Sequence, residues 1–246
     1  MTRQPIATSA AMLSKIENHS VQDQVYRQLR DVLMRGGFAP GEKVSSRKLA
    51  ARLGTSDMPV RAALGRLLAE GALVQNANGT FSVPLISLRK FQEVMKTRAL
   101  LEREATSEAC GLIDAAGFEE LHDAAAGLDR AISENAIEDY LDHNQRLKFA
   151  IYRYCPSQTL QSLIRLMWLQ AGPFLRHLNK GLDRMIEANF HDEAIAALER
   201  GDGKAAGEAI ARDILSGMAF LSMHGEFAAE EPVPAVTGLS FEGEEA

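Results

Sequence analysis

The chain has 246 residues, a length that suits two domains, and 46% of them are apolar, ample for buried cores. Its net charge of −6 is unevenly spread: positions 21–85 carry nine Lys or Arg against five Asp or Glu, and positions 86–246 carry sixteen against twenty-seven. The most apolar stretches are broken by charges well short of eighteen residues, the N-terminus lacks an apolar signal core, and Cys110 and Cys155 have no zinc spacing, which excludes a membrane span and leads us to expect a soluble cytoplasmic protein in a reducing compartment.

Residues 1–20 read as a flexible arm, and residues 21–86 as a small basic domain. Within it, Ser46 can cap a first short helix that buries Leu49, Ala50 and Leu53 and ends at Gly54. Ser56 can cap a second helix, with Pro59 tolerated in its first turn and Val60, Ala63, Leu64, Leu67 and Leu68 as its buried stripe. Asp57, Met58, Arg61 and Arg66 are then left facing outward, where a recognition helix meets the major groove. After Gly71, two short apolar runs flank Asn76-Ala77-Asn78-Gly79, a hairpin signal. The pattern is a winged helix-turn-helix. A generic helix pair would fit the same periodicity, but a basic head on an acidic body suits phosphate binding.

Residues 87–227 are helical almost throughout, with segments near 88–112, 115–133, 137–154, 157–178, 181–200 and 203–223. Pro173 predicts a kink or break near Ala171 and Gly172. Residues 228–246 read as a disordered acidic tail. The fold class is therefore mainly α, a winged helix-turn-helix followed by an all-helical bundle. His19, His122 and His224 look solvated, His143 should point away from the face of Asn144, and His177 near a helix C-terminus suits a cation. Trp168 and Met167 have core spacing. No nucleophile elbow, HExxH pair or phosphate loop supports an enzyme.

The run VYRQLRDVLMRGGFAPGEKVSSRKLAARLGTSDMPVRAALGRLLAEGAL, with its Pro40-Gly41-Glu42 turn and Pro59-Val60-Arg61 helix start, resembles the DNA-binding domain of the GntR family of bacterial transcription regulators. The resemblance implies operator contacts by Arg47, Arg61 and the wing around Gly79, with Ser56 at the start of the recognition helix. It also marks a departure, since Asp57 stands where the family usually has Arg and Met58 where it has Thr. A carboxylate there can accept from a cytosine amino group, implying an altered operator or weaker binding, or it can simply favour the positive helix end.

TRALLEREAT, LKFAIYRYCPSQTLQSLIRLMWLQAGPF and HDEAIAALERGDGKAAGEAIARDI resemble the FCD effector domain of the FadR branch of that family. The resemblance implies a bundle enclosing a pocket for a small organic acid, often with a metal held by an acidic residue and three histidines. Mapped onto this chain, those four positions are Asn144, Lys148, His191 and Asp213, and Arg98 falls where an arginine grips a ligand carboxylate. A charged Lys148 repels a dication, so no cofactor is expected and a divalent metal is disfavoured; Asn144, His191 and Asp213 would be its weak ligands. Lys148 can replace the metal as the cation that holds an acidic effector, with Arg98 as a second anchor. Equally, Lys148 can pair with Asp213 and Arg98 with a neighbouring Glu, and an effector can displace such a pair.

These readings imply a homodimeric repressor of an inverted-repeat DNA operator, responsive to a small carboxylate, with no membrane partner. The alternatives are a DNA-binding regulator with a degenerate pocket and no effector, or an enzyme of the helical domain. The connection from Pro84 to Arg89 is the element expected to move when the effector binds.

Overall fold

The computed structural model describes residues 21–181 and 189–230. The head comprises helix α1 (Val21–Met34), strand β1 (Lys43–Val44), helices α2 (Ser46–Leu53) and α3 (Asp57–Ala69), and strands β2 (Val74–Gln75) and β3 (Phe81–Ser82). Leu33, Leu64, Leu67 and Leu73 close its core, each withdrawn from solvent. α2 starts one residue earlier than the sequence suggests: Ser45, not Ser46, is the N-cap, its Oγ accepting from the Lys48 amide at 3.4 Å, and Ser46 is already helical. Gly54 ends α2 with φ of 64°, as its position after the last apolar residue implies. Ser56 occupies the N-cap of α3 but makes no side-chain capping bond, so its exposed hydroxyl is left for other partners.

The hairpin forms around Gly79, whose φ is 77°. β3 pairs antiparallel with β2 and also with β1, giving a three-stranded sheet of order β1-β3-β2. The third strand has no sequence signal of its own, being two residues long. The Pro40-Gly41-Glu42 turn aligns it, with the Gly41 amide donating to Val83 O and the Val83 amide to Glu42 O.

The body is a bundle of α4 (Leu88–Ala109), α5 (Ala115–Ser133), α6 (Ile137–Tyr152), α7 (Gln158–Leu175), α8 (Phe190–Glu199) and α9 (Gly203–His224). Serine or aspartate side chains cap four of these helices: Ser87, Asp114, Ser157 and Asp202 each accept from an amide in the first turn. Of the kink or break expected near Ala171 and Gly172, the break does not occur. α7 runs through Pro173 to Leu175 and then tightens into a 3-10 turn, Arg176–Lys180. Packing outweighs the lost amide donor, because Gly172 and Pro173 are both buried, Gly172 directly against the backbone of α1. Of the helix expected over 181–200, residues 190–199 are helical and 182–188 lie outside the described residues, as does the arm at 1–20.

Residues 228–230 differ from the expected tail. The Ala228 amide donates to Ile86 O at 3.0 Å, Ala228 bridges in parallel to Ser87, and the Arg89 amide donates to Glu230 at 2.9 Å. Residues 231–246 are outside the described residues. Among the described residues no helix is long and apolar enough to cross a membrane.

Candidate nucleic-acid interface and buried polar site

Two helices and a wing build the first site. Arg47 at the start of α2 and Met58 and Arg61 in the first turns of α3 are exposed, Met58 to 80%. Gly79 lies at the tip of the hairpin, where Asn78 Oδ1 accepts from the Thr80 amide and hydroxyl at 3.1 and 2.6 Å. One Asp57 oxygen, Oδ1, is buried without a hydrogen-bond partner in the first turn of α3, the end at which the helix dipole favours a negative charge. Arg66 is not brought to this face. Its guanidinium stacks over the Tyr26 ring at 3.6 Å, pairs with Glu70 at 3.3 Å and reaches Asp23 at 3.9 Å, tying α3 back to α1.

The second site is a run of polar groups inside the bundle. Asn144 and Lys148 lie one turn apart on α6 and are both buried, Lys148 to within 1% of full occlusion. Lys148 Nζ donates to Asp213 of α9 at 2.5 Å. His191 at the start of α8 completes the group, its Nε2 at 3.3 Å from Asn144 Oδ1 and 3.7 Å from Asp213. Burial pushes the Asp213 carboxyl up, yet Lys148, His191 and Arg98 together outweigh it and hold the group below the ordinary range, hence ionised. Burial lowers the His191 imidazole, with Lys148 adding to the effect and Asp213 opposing it, so His191 is neutral near pH 7.

Arg98, from α4, is also buried and already engaged. Its Nε donates to Glu102 at 2.7 Å, and its guanidinium lies 4.2 Å over the Trp168 ring. Tyr152 donates to the same carboxylate at 2.5 Å, and burial followed by Glu102 holds its phenol well above the ordinary value. Tyr140 is raised likewise, by burial and then Asp213. The two cations thus each face an internal carboxylate, the arrangement that needs no ligand for neutrality. Met95, Tyr140, Leu178 and Asp213 help line a cavity of about 30 Å³ here, room for about one water.

The donor set does not fit a divalent metal. Asn144, His191 and Asp213 converge, but an ammonium sits on the same Asp213 oxygen that a metal would take. Among the described residues no cluster of three His, Cys, Asp or Glu side chains is placed to hold one. Sequence reasoning missed Tyr152 and anticipated Glu102 only as an unspecified neighbouring Glu of Arg98. Tyr152 continues the spacing of Asn144 and Lys148 by one further turn, a signal that was there to read; Glu102, in a run of alternating charges, resembles a solvated position.

The remaining histidines split. His122 is exposed and pairs with Glu199 at 2.8 Å. His143 points away from Asn144 and packs against Gly127 of α5. His224, expected to be solvated, is half-buried, stacked on Phe220 with Nδ1 at 2.9 Å from the Phe220 carbonyl. His177, expected to suit a cation, is instead lowered by burial and by Lys180, because it lies inside the 3-10 turn. His19 is outside the described residues.

A basic helix-turn-helix head with a wing, joined to a helical body with a buried polar centre, defines a transcriptional regulator of the two-domain kind. Comparison with known proteins agrees. Residues 21–83 match the family of bacterial regulatory proteins called gntR, and residues 93–216 match the FCD domain. The chain belongs to the GntR family and carries an FCD effector domain. It is 28% identical over 211 residues to the HTH-type transcriptional regulator McbR of Escherichia coli, an alignment covering 84% of this chain and 95% of that one. It is 38% identical over 73 residues to the Nta operon transcriptional regulator of Aminobacter aminovorans, covering 30% and 35%. The solved structure of E. coli McbR/YncC superposes with a TM-score of 0.77 at 27% identity, covering 84% of this chain and 99% of that one. A GntR regulator from Rhodococcus sp. RHA1 shares the fold, with a TM-score of 0.64 at 20% identity, covering 81% and 96%. The chain is a transcriptional regulator.

Proposed function

We propose that the protein is a homodimeric repressor, of the FadR branch, on an inverted-repeat operator, and that its bundle senses a small carboxylic acid without a metal. The effector's carboxylate takes the place of Asp213 on Lys148. The observation that carries this reading is the Lys148 ammonium, 1% exposed and satisfied by a single carboxylate, Asp213, from another helix. A buried cation needs an anion, and an acid of the right shape can supply one. Ligand entry then frees Asp213 and shifts α9 against α6. At the operator, Arg47 and Arg61 reach phosphates and base edges, with Ser56 and the wing at Gly79 giving register. Met58 suits a thymine methyl, and Asp57 a cytosine amino group.

The competing reading, a regulator that has lost its effector, draws on the small cavity and on the internal neutralisation of both Lys148 and Arg98. Thermal unfolding against a panel of small carboxylic acids and divalent metals separates them, because a ligand of the folded state raises the midpoint with occupancy. The expected result is a shift with one acid and none with metals. Asp213→Asn, which removes the internal competitor, should then bind that acid at least several-fold more tightly, and Lys148→Ala should lose the response while keeping operator affinity. No shift with any acid, in either the parent or Asp213→Asn, overturns the proposal in favour of the effector-free regulator.

A further inference from the structure

A cleft of about 470 Å³, within the size range of small-molecule sites, opens at the seam between head and bundle. It is separate from the Lys148 centre and shares no residue with that cavity. Five guanidinium groups line it: Arg30 and Arg35 from α1, Arg146 from α6, Arg153 just beyond α6, and Arg165 from α7. Three of them are answered by carboxylates. Arg30 pairs with Asp31 at 2.8 Å, Arg153 with Glu120 at 2.6 Å, and Arg35 with Asp142, which crosses from head to bundle. Among the described residues, Arg146 and Arg165 have no carboxylate partner; Arg165 donates only to the Gln161 side-chain oxygen at 3.1 Å. The walls therefore carry a surplus of two positive charges in a concave site with low-dielectric sides, where the field is focused.

We propose that this cleft is a second effector site, which binds a compact dianion, a phosphate ester or a dicarboxylate, between Arg146 and Arg165. Guanidinium groups recognise both chemistries by paired N–H bonds, and two surplus charges match a dianion. The site is built from both domains, so a bound dianion favours one orientation of the head over others and is linked to operator affinity by that difference.

The test is calorimetric titration of the full chain with inorganic phosphate and with succinate, at fixed ionic strength. Saturable binding of at least one probe, one per chain, is expected, and the preferred probe identifies the chemistry. Arg146→Ala/Arg165→Ala should weaken that binding at least tenfold with an unchanged unfolding midpoint. Arg200→Ala/Lys204→Ala, which removes two cations at the far end of α8 and start of α9, should leave it intact. Absence of saturable binding by either probe, or equal weakening in both double variants, overturns the proposal.

Discussion

Lys148 and Asp213 are held in a state in which each makes the other tolerable, since a lone buried charge is costly and a buried pair is close to neutral in its net effect. Lys148→Met leaves the carboxylate without its cation and should lower stability by about 3 kcal/mol, whereas Lys148→Met/Asp213→Leu should fall within about 1 kcal/mol of the parent. Urea unfolding of the two variants checks this, and equal losses in both would show that the pair contributes through packing alone. His191 sets a pH dependence at the same place. Its folded pKa is lowered, chiefly by burial, while the unfolded imidazole titrates near about 6.5. As pH falls through that value the unfolded chain takes a proton that the folded chain refuses, so stability is full above it and declines on acidification. His177, lowered by burial and by Lys180, acts in the same sense. His191→Gln should therefore flatten part of the fall in urea midpoint between pH 7 and pH 5, and an unaltered slope would assign the whole effect to other groups.

Among the elements, those whose stability comes from local periodicity were visible in the chain: the buried stripe of α3, the Asn-Gly hairpin, and the long helices α4, α5, α6 and α9. Those made by contacts distant in sequence were not. β1 exists because β3 lies beside it, and the strap after α9 exists because Phe227 stacks on Phe174 at 5.5 Å and meets Phe91 at 5.2 Å, aligning Ala228 with Ile86. The same divide runs through the polar site. Asn144, Lys148, His191 and Asp213 stand at positions the family resemblance marks, and a Glu beside Arg98 is local in sequence, but the bond from Tyr152 to Glu102 joins side chains fifty residues apart. The strap closes over the segment that joins wing to bundle, with Glu230 paired to Arg89 at 3.5 Å. That exposed pair contributes little, and the aromatic cluster is the anchor. Phe227→Ala, at a half-buried position, should cost about 2 kcal/mol and speed hydrogen exchange of the Ala228 amide, with Glu230→Gln nearly silent in both. If Phe227→Ala leaves that amide as protected as before, the strap is held by its backbone bonds and the cluster is incidental.

At the scale of the molecule, the head is seated on the bundle through α1 against α7, with Gly172 directly against the α1 backbone. A Cβ added there would lie 2.7 Å from the Met34 Cα, an overlap with backbone that no side-chain rotation relieves. This crossing also suits the continuation of α7 through Pro173, because the helix is packed against the α1 backbone where a break would otherwise be favoured. Arg35 to Asp142 adds one ion pair across the same seam, and Arg66 on Tyr26 keeps α1 and α3 moving as one body. A signal from the polar centre must cross this seam to reach the recognition helix, and α7 connects the two, with Trp168 under Arg98 and Gly172 on α1 one turn further along. Gly172→Ala forces α1 away from α7, with an overpacking cost of about 2 kcal/mol. The cost falls on the docking of the head and leaves each core intact, so calorimetric unfolding should separate into two transitions where the parent shows one. Operator binding should persist, because the face carrying Arg47, Met58 and Arg61 is remote from the seam, while any response of that binding to the bundle's effector should be lost. A variant that still unfolds in a single transition and still responds would show that the seam is not the route of coupling, and would move that role to the segment between Pro84 and Arg89 and its strap.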